Sequence, residues 1–148
     1  MVRWLVIATL GCGGQRAPDP AAPSRVVTPT DAAAATAPKP LDQDLDRLAE
    51  RVFALYQALA AALAEAGEDC TAAAVKLGEL AARFEDVAVA NRKVEKDGRG
   101  DALRAALGRF QPQMMETGGK IIQSPAVAHC SKEVGFTRAF ARVVSGPE

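Results

Sequence analysis

The stretch "LDQDLDRLAERVFALYQALAAALAEA", residues 41–66, indicates the fold class of this chain. Its apolar residues recur at alternating steps of three and four, which is the spacing of one face of an α-helix. Pro40 precedes the stretch, Asp42 is a candidate N-cap and Gly67 is a candidate C-terminal stop. We therefore predict that a folded domain begins near Leu41 with a long amphipathic helix. The stripe consists of Leu45, Leu48, Val52, Leu55, Leu59 and Ala62.

Three more helical stripes follow along the chain. Asp69 or Thr71 is expected to cap the second helix, and Gly98 is expected to end it. The fourth helix is expected to begin with Ser124 as N-cap and Pro125 at N1. No segment alternates as a strand does, and the connections between stripes are short. We predict an all-α domain over residues 41–148, folded as an antiparallel, up-down-up-down four-helix bundle. The stripes are Ala73, Leu77, Leu80, Phe84, Val87, Asn91 and Val94; then Leu103, Leu107, Phe110, Met114 and Ile121; then Val127, Cys130, Val134, Ala139, Phe140 and Val143.

The composition limits the classes of function. Hydrophobic residues make up 49% of the 148 residues and aromatic residues only 5%, so the core is expected to consist mainly of Leu, Val and Ala. Eighteen basic residues balance eighteen acidic ones, and the net charge is zero. Nucleic-acid-binding proteins usually carry a clear basic excess. We therefore expect no nucleic-acid partner.

The stretch before the domain has a different character. Residues 13–40, "GGQRAPDPAAPSRVVTPTDAAAATAPKP", are rich in Pro, Ala and Thr and show no sustained helical or strand period. Repeated Pro forbids a long helix, and such a stretch cannot bury enough apolar surface to offset its ordering entropy. We predict a disordered tether with partly polyproline-like character.

The first dozen residues have the layout of a signal peptide. Arg3 supplies a positive charge, Trp4 to Leu10 form a short apolar run, and "TLGC" follows. This segment resembles the lipobox of bacterial lipoproteins, in which a signal peptidase cuts before a Cys that is then acylated. The resemblance implies a signal peptide over residues 1–11, a lipid such as palmitate on Cys12, and a tether over residues 12–40.

The resemblance also implies a location. Two or more acyl chains hold a protein stably at a membrane, whereas one chain holds it weakly. Gly13 is not the Asp that marks inner-membrane retention in enterobacterial lipoproteins, so we expect an outer-membrane anchor facing the periplasm. An uncleaved anchor, a plain secretory signal and a soluble protein with an apolar start are the alternatives.

Cys70 and Cys130 are candidates for a disulfide. In an up-down bundle the start of the second helix and the start of the fourth lie at the same end of the molecule, and an exported chain meets an oxidising compartment. Assigning Cys12 to the lipid leaves an even pair. The second and fourth helices are diagonal in a simple bundle, so the required approach of about 7 Å is demanding. Two buried free thiols are the alternative.

The stretch "AHCSKE" invites a metal or haem interpretation. His129, Cys130 and Glu133 are close in sequence, and Glu68 or Cys70 is a candidate further ligand, yet the spacing of a zinc or haem motif is missing. Four-helix b-type cytochromes, which a bundle of this kind resembles, supply a haem-ligating Met from the first helix. The first helix here contains no Met, so we predict neither a metal nor a cofactor.

Residues 108–120 are the least regular part of the domain. Pro112 removes a helical hydrogen bond, and Gly118 and Gly119 weaken the following turn. Met114 and Met115 suit irregular packing or adaptable binding. The segment is expected to be a kinked helix fitted around the bundle or, alternatively, a deformable groove for a partner or ligand. Asn91 interrupts an apolar stripe and is expected to fix helix register.

No catalytic constellation is visible in the sequence. The one His serves a Ser-His-Asp arrangement only if a Ser is placed beside it, no GxSxG motif occurs, and the short Gly-rich stretches do not form a phosphate loop. The favoured function is a membrane-tethered, non-enzymatic structural or interaction module with a protein partner of unknown identity. The alternative is a four-helix bundle that binds a small ligand, haem or metal.

Overall fold

The computed structural model describes residues 38–146, and every regular element in that range is helical. The prediction of an all-α domain is confirmed. The signal peptide, Cys12 and all but the last three residues of the proposed tether lie outside the described residues. Two 3-10 turns, Leu41–Gln43 and Gly108–Phe110, accompany the α-helices. The α-helices are α1 (Leu45–Ala66), α2 (Cys70–Arg83), α3 (Glu85–Lys96), α4 (Gly100–Leu107), α5 (Gln111–Ile122), α6 (Pro125–Cys130) and α7 (Val134–Ser145).

The first helix begins at Leu45, the first residue of the predicted stripe and two residues later than an N-cap at Asp42 would place it. Asp44 is its N-cap, and the Asp44 carboxylate accepts a hydrogen bond from the backbone N–H of Arg47 at 3.1 Å. The prediction that Asp42 caps this helix is therefore wrong: Asp42 lies in the preceding 3-10 turn. Gly67 ends α1 as predicted, with a φ of 59° that few other residues adopt.

The predicted second helix is two helices that meet at Phe84. The Phe84 ring is buried, and the guanidinium of Arg51 on α1 stacks 4.6 Å from its centroid. Arg51 also pairs with Asp86 in the first turn of α3, at 2.8 Å. The break contains neither Gly nor Pro, so the stripe alone does not reveal it. Burial of the ring and the Arg51 contacts explain why the chain bends here.

The predicted third helix is interrupted as well. The turn Gly108–Phe110 separates α4 from α5, and Pro112 then sits in the first turn of α5, where a missing N–H costs little. The irregularity therefore lies just before Pro112 rather than at it. Phe110 stacks on Phe53 of α1 with ring centroids 4.8 Å apart, and Arg109 binds Asp46 of α1 at 3.1 Å. These contacts fix the start of α5 on α1.

The predicted fourth helix is divided into α6 and α7 by three polar residues. Its opening is confirmed: the Ser124 hydroxyl accepts from the N–H of Val127 at 3.3 Å, and Pro125 is the first helical residue. Val134, expected in the core, is exposed because it begins α7 on the solvent side. Phe136, which was not assigned to the stripe, is buried in its place.

Packing around α1 organises the domain. α1 contacts α2 on one side and α4 and α5 on another, while α7 makes its main contact with α2. α2 and α7 are therefore neighbours, whereas a simple bundle makes its second and fourth helices diagonal. α5 and α7 barely touch each other. The ring of helices is closed at the α5–α1, α1–α2 and α2–α7 contacts and open between α5 and α7.

The core is aliphatic, as the composition predicted. Its fully buried large side chains come from α1, α2, α3 and α6. They are Leu48, Leu63, Leu77, Leu80, Val94 and Cys130.

Candidate functional site

The opening between α5 and α7 forms a groove lined mainly by apolar side chains, which we call the apolar groove. Its deep part encloses about 460 Å³ between α1, α3, α4, α5 and α7. A shallow part continues between α4 and α5, and the two parts share Tyr56, Leu107, Met114 and Gly118. The deep part is lined by Val52, Leu55, Tyr56, Leu59, Val87, Ala88, Asn91, Leu107, Met114, Gly118, Ile121, Ile122, Phe140, Val143 and Val144.

The rim of the groove is unusually apolar for a protein surface. Ile122 is 75% exposed, Met115 is 72% exposed and Val144 is 65% exposed, and the partly exposed Tyr56 lines both parts of the groove. Single exposed apolar residues are ordinary, but a contiguous group around a concavity is typical of an interaction surface. Four of the seven large exposed hydrophobic residues described for this chain line this one groove.

Two contacts hold the α3–α7 side of the groove in place. The Arg92 guanidinium of α3 donates to the carbonyl of Ser145 at the end of α7, at 3.1 Å. Gly146 then follows with a φ of 76° and passes so close to Ala88 that an added Cβ would lie 2.6 Å from the Ala88 Cβ. Only glycine fits this position without a shift. The C-terminal end of α7 is thus anchored on α3.

Most of the groove residues belong to the predicted helical stripes. The stripes assign Leu55, Leu59, Phe140 and Val143 to a closed core. Leu59 and Val143 are buried as predicted, whereas Leu55 and Phe140 are only partly buried, and all four line the groove wall. Met114 and Gly118, from the segment predicted to be kinked, line both of its parts. The sequence thus predicted that these positions are apolar, but it did not predict the groove between α5 and α7.

The groove also contains residues that the sequence analysis missed. Tyr56, Ile122 and Val144 lie outside the stripes, and each widens the apolar arc of its helix. The pairs Ile121–Ile122 and Val143–Val144 are the sequence feature that distinguishes them, because two consecutive apolar residues cover more arc than one stripe needs.

Asn91 lies in the groove wall rather than between two core helices. Its side-chain nitrogen donates to the carboxylate of Glu95 on the same helix, at 3.3 Å. The hydrogen bond therefore stays within α3. It gives no support to the expectation that Asn91 fixes the register between helices.

The second candidate site is the end of the domain where Cys70 and Cys130 meet. The two sulfur atoms are 2.07 Å apart and the two Cα atoms 5.3 Å apart, which is the distance of a disulfide bond. Cys70 begins α2 and Cys130 ends α6, and Cys130 is fully buried. The adjacency of α2 with the last two helices removes the geometric difficulty that a diagonal placement would create.

His129 lies beside this bridge on the surface. Its Nε2 atom is 3.2 Å from a carboxylate oxygen of Glu68, and both side chains are largely exposed. Within residues 38–146, no three side chains of His, Cys, Asp or Glu come together in a way that would hold a metal ion. The chemistry available at this end is that of a disulfide bond with an adjacent surface contact between His129 and Glu68.

One buried carboxylate ties the start of the domain to α3. Asp42 is 8% exposed and lies 2.7 Å from the Lys93 ammonium. The hydrogen bond and positive charge of Lys93 lower the pKa of Asp42 below its usual value of 3.8, although partial burial opposes the shift. The contact fixes the point at which the chain enters the domain.

Comparisons with known proteins identify no relative. No protein family, no curated protein and no solved structure matches this chain. Within the part of the chain that the structure describes, none of the helices is both long and apolar enough to cross a bilayer.

Proposed function

We propose that this chain is a non-enzymatic interaction module held at the cell envelope by a lipid on Cys12, and that the apolar groove is its binding surface. The single observation that carries the proposal is the exposed apolar rim around a concavity of about 460 Å³. A volume in this range is typical of sites for small molecules or short segments of a partner. The resemblance of "TLGC" to a lipobox supports the membrane anchor.

The proposed arrangement places the domain on the periplasmic side of the outer membrane. Gly13 at the position after the acylated Cys supports the outer membrane, under the sorting rule of enterobacterial lipoproteins. Residues 12–40 would then act as the tether between the bilayer and the domain. Fully extended, a tether of this length spans roughly 90 Å.

We further propose that the domain keeps the up-down-up-down order of a four-helix bundle. Its four members would be α1, α2 with α3, α4 with α5, and α6 with α7. The hydrogen bond from Arg92 to the end of α7 supports this order, because α7 then runs from the start of α2 toward α3, parallel to α2. The groove lies on a side on which this bundle is not closed.

The alternative function is a four-helix bundle that binds a small ligand, haem or metal. The groove favours an apolar small ligand within this alternative, because its deep part is lined by uncharged and mostly aliphatic side chains. The test below separates a protein partner from a small ligand by the mass of what is captured.

Site-specific photocrosslinking in intact cells tests the proposed function. A photoreactive amino acid at Ile122, on the groove rim, should give a discrete adduct. The matched control is Val75 of α2, which is 57% exposed but lies away from the groove. Metabolic labelling with a radioactive fatty acid tests the anchor, by comparing the unaltered chain with the Cys12→Ser chain. Identical adduct patterns at Ile122 and Val75 contradict a binding role for the groove, and equal fatty-acid labelling of both chains contradicts acylation of Cys12.

A further inference from the structure

The groove leaves core-type side chains without a covering element. Leu55 of α1 and Phe140 of α7 are only partly buried and line a gap that α5 does not close, and the exposed Ile122 and Val144 line the same gap. Apolar surface of this kind gains free energy when a ligand removes it from water. The occupant must therefore supply apolar surface along the length of the gap.

The polar groups of the groove restrict what this occupant can be. In its deep part, no lining residue carries a charge, and the side-chain polar groups are the Tyr56 hydroxyl and the Asn91 amide, whose nitrogen is engaged by Glu95. An extended peptide laid here would bring backbone N–H and C=O groups that find few partners, which is costly. A saturated alkyl chain brings none.

The shallow end of the groove has a different character. Arg104 lines it, together with Gln111. The Arg104 guanidinium pairs with Asp101, and the two side chains are 76% and 91% exposed. An ion pair so accessible to water contributes little, so an incoming anion can replace Asp101 at low cost. The groove thus combines an uncharged trough with a cation at its mouth.

We propose that the apolar groove binds a long-chain fatty acid, with the alkyl chain in the deep part and the carboxylate at Arg104. This proposal rests on the proposed function, because the tether keeps the groove within roughly 90 Å of a bilayer that supplies such molecules. Met114 and Met115 adapt to chains of different length, since their side chains are unbranched and flexible. Binding involves no covalent step.

Gly118 offers a way to fill the groove without disturbing the core. It lies in α5, lines both parts of the groove, and has no atom within 4 Å of the position that a Cβ would occupy. Gly119, the next residue, has equally open surroundings and does not line the groove. The pair therefore provides a test variant and a matched control on the same helix.

The experiment measures displacement of the fluorescent fatty acid cis-parinaric acid from the delipidated full chain carrying Cys12→Ser. Palmitate should displace the probe. Gly118→Leu should weaken palmitate binding by about tenfold or more, since about two excluded methylene groups correspond to that factor. Gly119→Leu should leave the affinity within about twofold, and Gly118→Ala, which adds one methyl group, should lie between the two.

A second set of measurements tests the contact between the carboxylate and Arg104. Arg104→Gln should weaken palmitate about two- to fivefold and leave hexadecanol unchanged, because the alcohol has the same chain without the charge. Equal affinities of the Gly118→Leu and Gly119→Leu chains, or no displacement by palmitate, would overturn the proposal. A protein adduct at Ile122 in cells combined with no palmitate binding overturns the fatty acid and leaves the interaction module intact. The absence of any adduct at Ile122 counts against the proposed function itself.

Discussion

Removing the Cys70–Cys130 bridge tests how the last two helices are held. We consider the chain Cys70→Ala with Cys130→Ala, in a Cys12→Ser background so that no third thiol interferes. Alanine is preferred to serine because Cys130 is fully buried, and a hydroxyl there would add its own desolvation cost. The fold should survive, because α7 keeps its packing on α2 and its anchor on Arg92.

The expected cost follows from the loop that the bridge closes. The two cysteines are 60 residues apart, and closing a loop of that length contributes about 4 kcal/mol by the chain-entropy argument. A domain of about 110 residues unfolds with an entropy of about 0.23 kcal/mol per degree. The ratio predicts a fall in Tm of about 17 °C, and the cost of about 2 to 5 kcal/mol that is usual for removing a native bridge gives a range of about 9 to 22 °C.

Differential scanning calorimetry supplies the measurement, and thiol counting by mass spectrometry on denatured, non-reduced protein supplies the control. The chain with both cysteines should show no free thiol and should melt, once reduced, within a few degrees of the alanine variant. Two free thiols in protein isolated from its own compartment would refute the bridge. A bridged protein that melts at the same temperature as the alanine variant would refute the loop-entropy argument instead.

Two further substitutions test the core and the entry of the chain. Leu63→Ala, at a fully buried position of α1, should lower the free energy of unfolding by about 3 kcal/mol in urea titrations, and a loss below about 1 kcal/mol would show that the site collapses or is loosely packed. Asp42 has a lowered pKa in the folded state, so its contribution is present above pH 3.8 and is lost as the pH falls from there through the lower folded value. Asp42→Asn should therefore lower the free energy of unfolding at pH 7, and it should reduce the difference between the free energies of unfolding at pH 7 and at pH 3. If that difference is the same in both chains, the Lys93 contact does not stabilise the fold.

The sequence predicts the helical class because the period of its apolar residues is a local property. Caps such as Ser124 and stops such as Gly67 are equally local, since each acts on a backbone group within a few residues. The break at Phe84 is different in kind. Arg51, which contacts both Phe84 and Asp86 at this break, is 33 residues away from Phe84 in the sequence, so a window around Phe84 does not contain it.

The groove escaped the sequence analysis for a related reason. An apolar stripe indicates that one face of a helix is buried, but it does not indicate which neighbouring helix covers that face. α7 carries Phe136 toward the core and Phe140 and Val144 toward the groove, and its sequence does not distinguish these directions. Which of these side chains is covered depends on the order in which the helices are arranged around α1.

The bridge and the groove are connected through that order. Cys130 joins the end of α6 to the start of α2, and α7 begins only four residues later. α7 starts at this point and runs along α2 toward α3, where the Arg92 guanidinium donates a hydrogen bond to the carbonyl of Ser145. It therefore packs mainly against α2 and barely contacts α5. On this reasoning the disulfide has two effects: it stabilises the fold by closing a long loop, and it places the start of α7, which forms one wall of the apolar groove, beside the start of α2.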